Sequence, residues 1–92
     1  AVRTIGEFRV DFSKMNSIME KFQNVPTDQV LPISILRKIF EKSSVPEDSV
    51  SALIESIAFS EGLKEGAPIT VRVLSEWIEK QDMKHNTVII IM

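Results

Sequence analysis

Two ten-residue blocks of this chain repeat each other in physical outline, and that recurrence limits the fold more than any other feature. Leu31-Pro32-Ile33-Ser34-Ile35-Leu36-Arg37-Lys38-Ile39-Phe40 aligns without a gap on Ile69-Thr70-Val71-Arg72-Val73-Leu74-Ser75-Glu76-Trp77-Ile78. Apolar residues coincide at Leu31/Ile69, Ile33/Val71, Ile35/Val73, Leu36/Leu74, Ile39/Trp77 and Phe40/Ile78. Each block opens with alternating apolar residues and closes on apolar pairs three to four apart, so an extended turn feeding a helix is expected twice. A chain of 92 residues supports one hydrophobic core and not a second. The expectation is a single domain, 1–92, of two similar halves, about 13–42 and about 44–81, with terminal extensions 1–12 and 82–92.

The segments between the blocks fit that plan. Val2 to Phe12 alternates, with Val2, Phe8, Val10 and Phe12 on one parity and Arg3, Glu7, Arg9 and Asp11 on the other, broken only by Ile5, which predicts a strand whose last residue, Phe12, could equally open the next helix. From Ser13 the period changes. Met15, Ile18, Met19 and Phe22 form an amphipathic stripe with Ser13 or Asp11 as cap. Asn24-Val25-Pro26-Thr27-Asp28 breaks it, and a short helix follows from about Ser34 to Lys42. Ser44-Val45-Pro46-Glu47 reads as a capping box for a third helix, whose stripe is Val50, Leu53, Ile54, Ile57 and Ala58. Phe59 to Pro68, with Gly62 and Gly66, reads as a loop. Thr70 is placed to cap a last helix ending near Gln81, and the β-branched run Val88–Met92 reads as a short strand or extended segment. The expected core is Met15, Ile18, Phe22, Leu31, Leu36, Ile39, Phe40, Leu53, Ile54, Ile57, Ile69, Leu74, Trp77 and Ile78.

Composition narrows the function classes. The 43% apolar and 26% charged content is that of an ordinary globular chain. A net charge of −2 argues against a nucleic-acid surface, which calls for a basic stripe. Without cysteine there is no disulfide scaffold and no thiolate metal site, as befits an intracellular, reducing compartment. No apolar run reaches the roughly 20 residues of a membrane-spanning helix. The ends, Ala1 and Met92, read as domain cuts in a longer protein.

The apolar spacing resembles that of a paired EF-hand domain, a calmodulin-like or myosin-light-chain-like lobe. In that family an apolar residue sits at the eighth loop position, another follows the loop directly, and a further pair lies three and four places on. Ile69, Leu74, Trp77 and Ile78 match this pattern, as do Leu31, Leu36, Ile39 and Phe40, and the resemblance covers about Ser13 to Gln81. It implies a mainly α fold of two helix-loop-helix, EF-hand-like halves joined by a short antiparallel β bridge between Leu31–Ile33 and Ile69–Val71, with short strands at the termini. Calcium is not expected. Counted from the eighth positions, the loops would run from Asn24 to Ile35 and from Gly62 to Val73. At the candidate ligand positions the first has Asn24 and Asp28, the second Gly62, Lys64 and Gly66, of which Lys64 adds a repelling charge, and Ile35 and Val73 stand where a bidentate glutamate is required. The flanking patterns also suggest loops longer than twelve residues. A shorter likeness links Val45-Pro46-Glu47-Asp48-Ser49-Val50-Ser51-Ala52-Leu53 to the interhelical segment of mitochondrial inner-membrane leucine-zipper/EF-hand proteins.

No catalytic grouping is legible. His85 is the only histidine, and it has no nucleophile or orienting partner nearby in sequence. Glu61 and Glu65 sit in a glycine-punctuated loop and read as solvated. No cofactor and no metal is expected. The candidate partner-binding residues are Met15, Met19, Phe22, Phe40, Phe59 and Trp77, because methionine and aromatic stripes form adaptable grooves. The competing account is that they are simply core. The leading expectation is therefore a calcium-independent interaction or regulatory domain that binds an amphipathic helix or extended segment of a protein partner, or of its own parent chain. Two alternatives stand beside it: a helix-turn-helix or winged nucleic-acid-binding domain, disfavoured by Glu76 and Glu79 on the would-be recognition helix, and an accessory domain of a larger enzyme or mitochondrial membrane protein.

Overall fold

The computed structural model describes residues 4–64, 66–81 and 87–91, and the side chains of 9–64 and 66–81. Val2, Glu65, Lys84, His85, Asn86 and Met92 lie outside the described residues, so the expectations placed on them have no counterpart here. The protein is mainly helical. Strand β1 (Thr4–Arg9) leads into helix α1 (Phe12–Glu20), then α2 (Ile33–Lys42), a single 3₁₀ turn (Glu47–Ser49) that runs into α3 (Val50–Ser60), α4 (Val71–Glu79) and strand β2 (Thr87–Ile91). β1 and β2 pair antiparallel, from Arg9 opposite Thr87 to Thr4 opposite Ile91, with an irregularity between Thr4 and Gly6.

Each helix begins where local chemistry permits. Asp11, rather than Ser13, caps α1: its Oδ1 accepts from the Lys14 amide at 3.1 Å. Phe12 is the first residue of that helix and is buried, so it belongs to α1 and not to the strand. Pro26 ends the turn after α1, since a residue preceding proline is driven from helical geometry. The connections 21–32 and 61–70 are no longer than twelve residues, shorter than the sequence suggests.

Those two connections meet. Val30 and Thr70 form an isolated antiparallel bridge, and the Leu31 amide donates to the Ile69 carbonyl at 2.8 Å. On the first connection the contact lies earlier than the expected Leu31–Ile33, because Ile33 is already helical, while on the second it falls within the expected Ile69–Val71. It also serves as a cap. A helix start leaves its first amides without intrahelical partners. In α4 the Val71 amide donates to the Gln29 carbonyl, the Arg72 amide to the Thr27 carbonyl, and the Val73 amide to Thr70 Oγ1 at 3.3 Å. The first connection thereby supplies two of the acceptors that α4 needs.

Ser44 does not open a capping box. It closes α2 instead. Its φ is +68°, its amide donates to Glu41, and the Val45 amide reaches back to the Phe40 carbonyl, the paired bonds of a Schellman ending. Gly62 does the same after α3, with φ +70° and the Leu63 amide on the Ala58 carbonyl. Glycine tolerates that left-handed backbone and serine does not, by roughly 1–2 kcal/mol. Ser44→Gly should therefore raise stability by up to about 1 kcal/mol, allowing for glycine's greater unfolded-state entropy. A thermal midpoint that stays put or falls would show that the Ser44 backbone is not strained.

All four helices face one core. It contains Val10, Phe12, Met15, Leu31, Leu36, Ile39, Phe40, Val45, Val50, Leu53, Ile57, Ile69, Val71, Val73, Leu74, Trp77 and Ile78. Of the expected core residues, Ile18, Phe22 and Ile54 are only partly buried against it. Ser43, also buried, donates its hydroxyl to the Ile39 carbonyl, and its own carbonyl accepts from Asp11, tying the entry to α1 to the exit from α2.

Candidate functional site

The residues singled out from sequence do not form one surface. Met15, Phe40 and Trp77 are sealed in the core, so they line no open groove. Met19 and Phe22 are half-buried on or just after α1, packed against that core. Phe59 alone of the six is exposed, and it lies within α3 rather than in a loop.

Phe59 has company that the sequence reading did not single out. Among the described residues the exposed large apolar side chains are Phe59 (68% exposed), Ile33 (60%) and Val30 (43%). All three line one groove of about 820 Å³ between α2, α3 and the connection 63–69. Leu31, Leu36 and Ile69, all buried, lie along the same groove.

The origin of the groove can be read residue by residue. α3 is apolar around most of its circumference: Val50, Leu53 and Ile57 face the core, while Ile54, Ala58 and Phe59 belong to a second stripe along the groove. A helix apolar on both sides expects a neighbour on both. The other wall comes from a broken correspondence between the two blocks. Ile33 and Val71 occupy the same column, each the first residue of its helix, yet Val71 is buried, with its amide bonded to the Gln29 carbonyl, and Ile33 is open. Arg37, Glu55 and Lys64 also line the groove, all exposed and none in an ion pair among the described residues.

The start of the connection 61–70 is pinned by charge to Lys80, at the end of α4. Glu61, whose side chain is 5% exposed, accepts from Lys80 Nζ at 2.7 Å, while the lysine is 60% exposed. The bond to Glu61 raises the Lys80 pKa above its ordinary 10.5, partly offset by burial and reinforced by the charges of Glu61 and Glu76. Glu61 Oε1 is buried with no hydrogen-bond partner among the described residues, so there this carboxylate depends on Lys80.

No described helix is long and apolar enough to cross a membrane, and among the described residues no group of three or more histidine or acidic side chains converges as a metal site. Neither a protein-family model, nor a curated protein, nor a solved structure matches the chain.

Proposed function

We propose that this chain is a protein-interaction domain that seats an apolar segment of a partner in the groove between α2 and α3, without catalysis and without a cofactor. The observation that carries the reading is convergence. Single exposed apolar residues scattered over a surface are ordinary. Here Val30 and Ile33, from the 30–33 stretch, and Phe59, from α3, border one concavity. A contiguous apolar patch of that kind, rimmed by charge, is the usual mark of an interaction site. The exposed residues of α4 include Glu76 and Glu79, which favours a protein partner over a phosphate backbone.

On this reading the two helix-loop-helix halves are a degenerate EF-hand-like pair. The meeting of residues 27–31 with 69–72, and the burial of Leu31 and Ile69 just before each second helix, support it. The pair works without calcium. Val73, which stands in the closing ligand position, is buried, and Ile35 supplies no oxygen either. Excess calcium is expected to leave the tryptophan emission and the thermal midpoint unchanged; a saturable response at micromolar calcium would overturn this part.

The proposal is tested by selecting a displayed random-peptide library on the full chain and screening the enriched peptides against the Phe59→Ser variant. Enriched peptides that lose binding to the variant support the groove. Peptides that bind both proteins alike place the recognition surface elsewhere.

A further inference from the structure

One wall of the groove is a loop held at its two ends, and the hold at one end is an ion pair. Resting on the interaction reading above, we infer that Lys80 and Glu61 are positioning residues of the groove: their bond fixes the turn where α3 gives way to the connection 61–70, and with it the places of Phe59 and Leu63 that a partner meets.

The loop has little to hold it in between. Leu63, Lys64, Gly66, Ala67 and Pro68 line the groove. Across 64–68 the one backbone bond among the described residues is local, from the Ala67 amide to the Lys64 carbonyl. The course of this stretch therefore follows from its ends. The far end is tied by backbone, with Ile69 accepting from the Leu31 amide and Thr70 bridging to Val30. The near end begins at Glu61, the residue that follows α3. The Glu61 amide donates to the Ile57 carbonyl and the Leu63 amide to the Ala58 carbonyl. Glu61 thus sits inside the tight turn that joins Ala58 and Phe59 to Leu63, all three of them groove residues.

Lys80 is a firm anchor for that turn. It follows the buried Trp77 and Ile78 at the end of α4, and its amide donates to the Trp77 carbonyl at 3.2 Å. Its Nζ reaches Glu61 Oε2 at 2.7 Å across 19 residues of sequence. Exposed lysine–glutamate pairs seldom fix geometry, since water solvates either partner equally well. Here the carboxylate is covered and only the lysine is open. Without Lys80 an enclosed carboxylate is left uncompensated, and it regains solvation by turning outward. The turn that carries it moves with it.

The test uses the full chain and a labelled peptide enriched by selection on it, read by fluorescence anisotropy on variants that circular dichroism shows to be folded. Lys80→Met should weaken binding at least about fivefold. In the free variant the amide shifts of Ala58, Phe59 and Leu63 should change. Lys80→Arg, which keeps the charge, should bind as the parent does. Glu61→Gln should weaken binding in the same sense, and the double variant Glu61→Gln, Lys80→Met no further than Lys80→Met alone, because all three lose one interaction. A pair that merely adds stability would lower the thermal midpoint and leave the affinity and those three amides unmoved, which overturns the inference. Additive losses in the double variant, or an arginine variant as weak as the methionine one, overturn it as well. If Lys80→Met does not fold, Glu61→Gln decides, since it strands no charge: an affinity equal to the parent's overturns the inference. Where any of these failures occurs while Phe59→Ser still abolishes binding, the interaction reading survives alone. A peptide that ignores Phe59→Ser removes both.

Discussion

Replacing Trp77 with alanine should lower the unfolding free energy by about 3–5 kcal/mol, the usual cost of removing a large aromatic from a packed interior. Trp77 sits on α4 and is buried, and its ring lies 6.1 Å from that of Phe12 on α1, tilted by 49°. That spacing lies within the favourable range for aromatic pairs. The contact joins the last helix to the first, so the cavity opens where the two ends of the helical chain meet. A domain of this size has only about 5–15 kcal/mol to lose, and each kcal/mol moves the midpoint by roughly 4–8 °C. Urea unfolding followed by circular dichroism measures it, since the variant has no tryptophan. Phe22→Ala, at a half-buried position, should cost distinctly less. If the two variants cost the same, or Trp77→Ala costs under about 1 kcal/mol, Trp77 is not the anchor described here. Trp77→Phe, which keeps a ring against Phe12, serves if the alanine variant fails to fold.

Phe59→Ser should do the reverse: it leaves stability within about 0.5 kcal/mol of the parent and removes partner binding. Phe59 is largely exposed near the end of α3, and phenylalanine and serine have similar helix propensities, so little in the folded state depends on the ring. A docked partner would bury it. Aromatic anchors at the centre of an interface cost about 2 kcal/mol or more when truncated, roughly thirtyfold in affinity. Ile33→Ser should act in the same sense. A variant that unfolds would show that Phe59 is part of the core after all, and a variant that binds normally would show that the groove is not used.

How far the sequence could be read follows from which signals are local. The stripes of α2 and α4 are period-driven, and their buried residues, from Leu36 to Phe40 and from Leu74 to Ile78, follow directly from the spacing. The β-branched run at the end pairs with β1. Ser44 misled for a definable reason. A serine three residues before a glutamate fits a helix start, and only the preceding helix, ending at Lys42, turns the same residue into a left-handed stop. Gly62 held the opposite lesson. A glycine in the left-handed position after a helix places the last helical residue at Ser60, which brings Phe59 into α3.

The groove itself was less legible. Phe59 could be named from its type, but Val30 and Ile33 look like any inward apolar pair. Whether the first residue of a block is covered depends on what crosses over it. The 27–29 segment bonds to the Val71 and Arg72 amides and Val71 is buried, whereas Ile33 is left open, a tertiary fact that no local pattern encodes.

The most direct test of the groove is an amide chemical-shift map of the ¹⁵N-labelled chain titrated with a peptide enriched by selection. Shifts concentrated at Val30, Ile33, Ile54, Ala58 and Phe59, with Met15 and Trp77 unmoved, are the expected result. Shifts centred on α1 or on the β1–β2 ribbon, leaving Ile33 and Phe59 untouched, would contradict it.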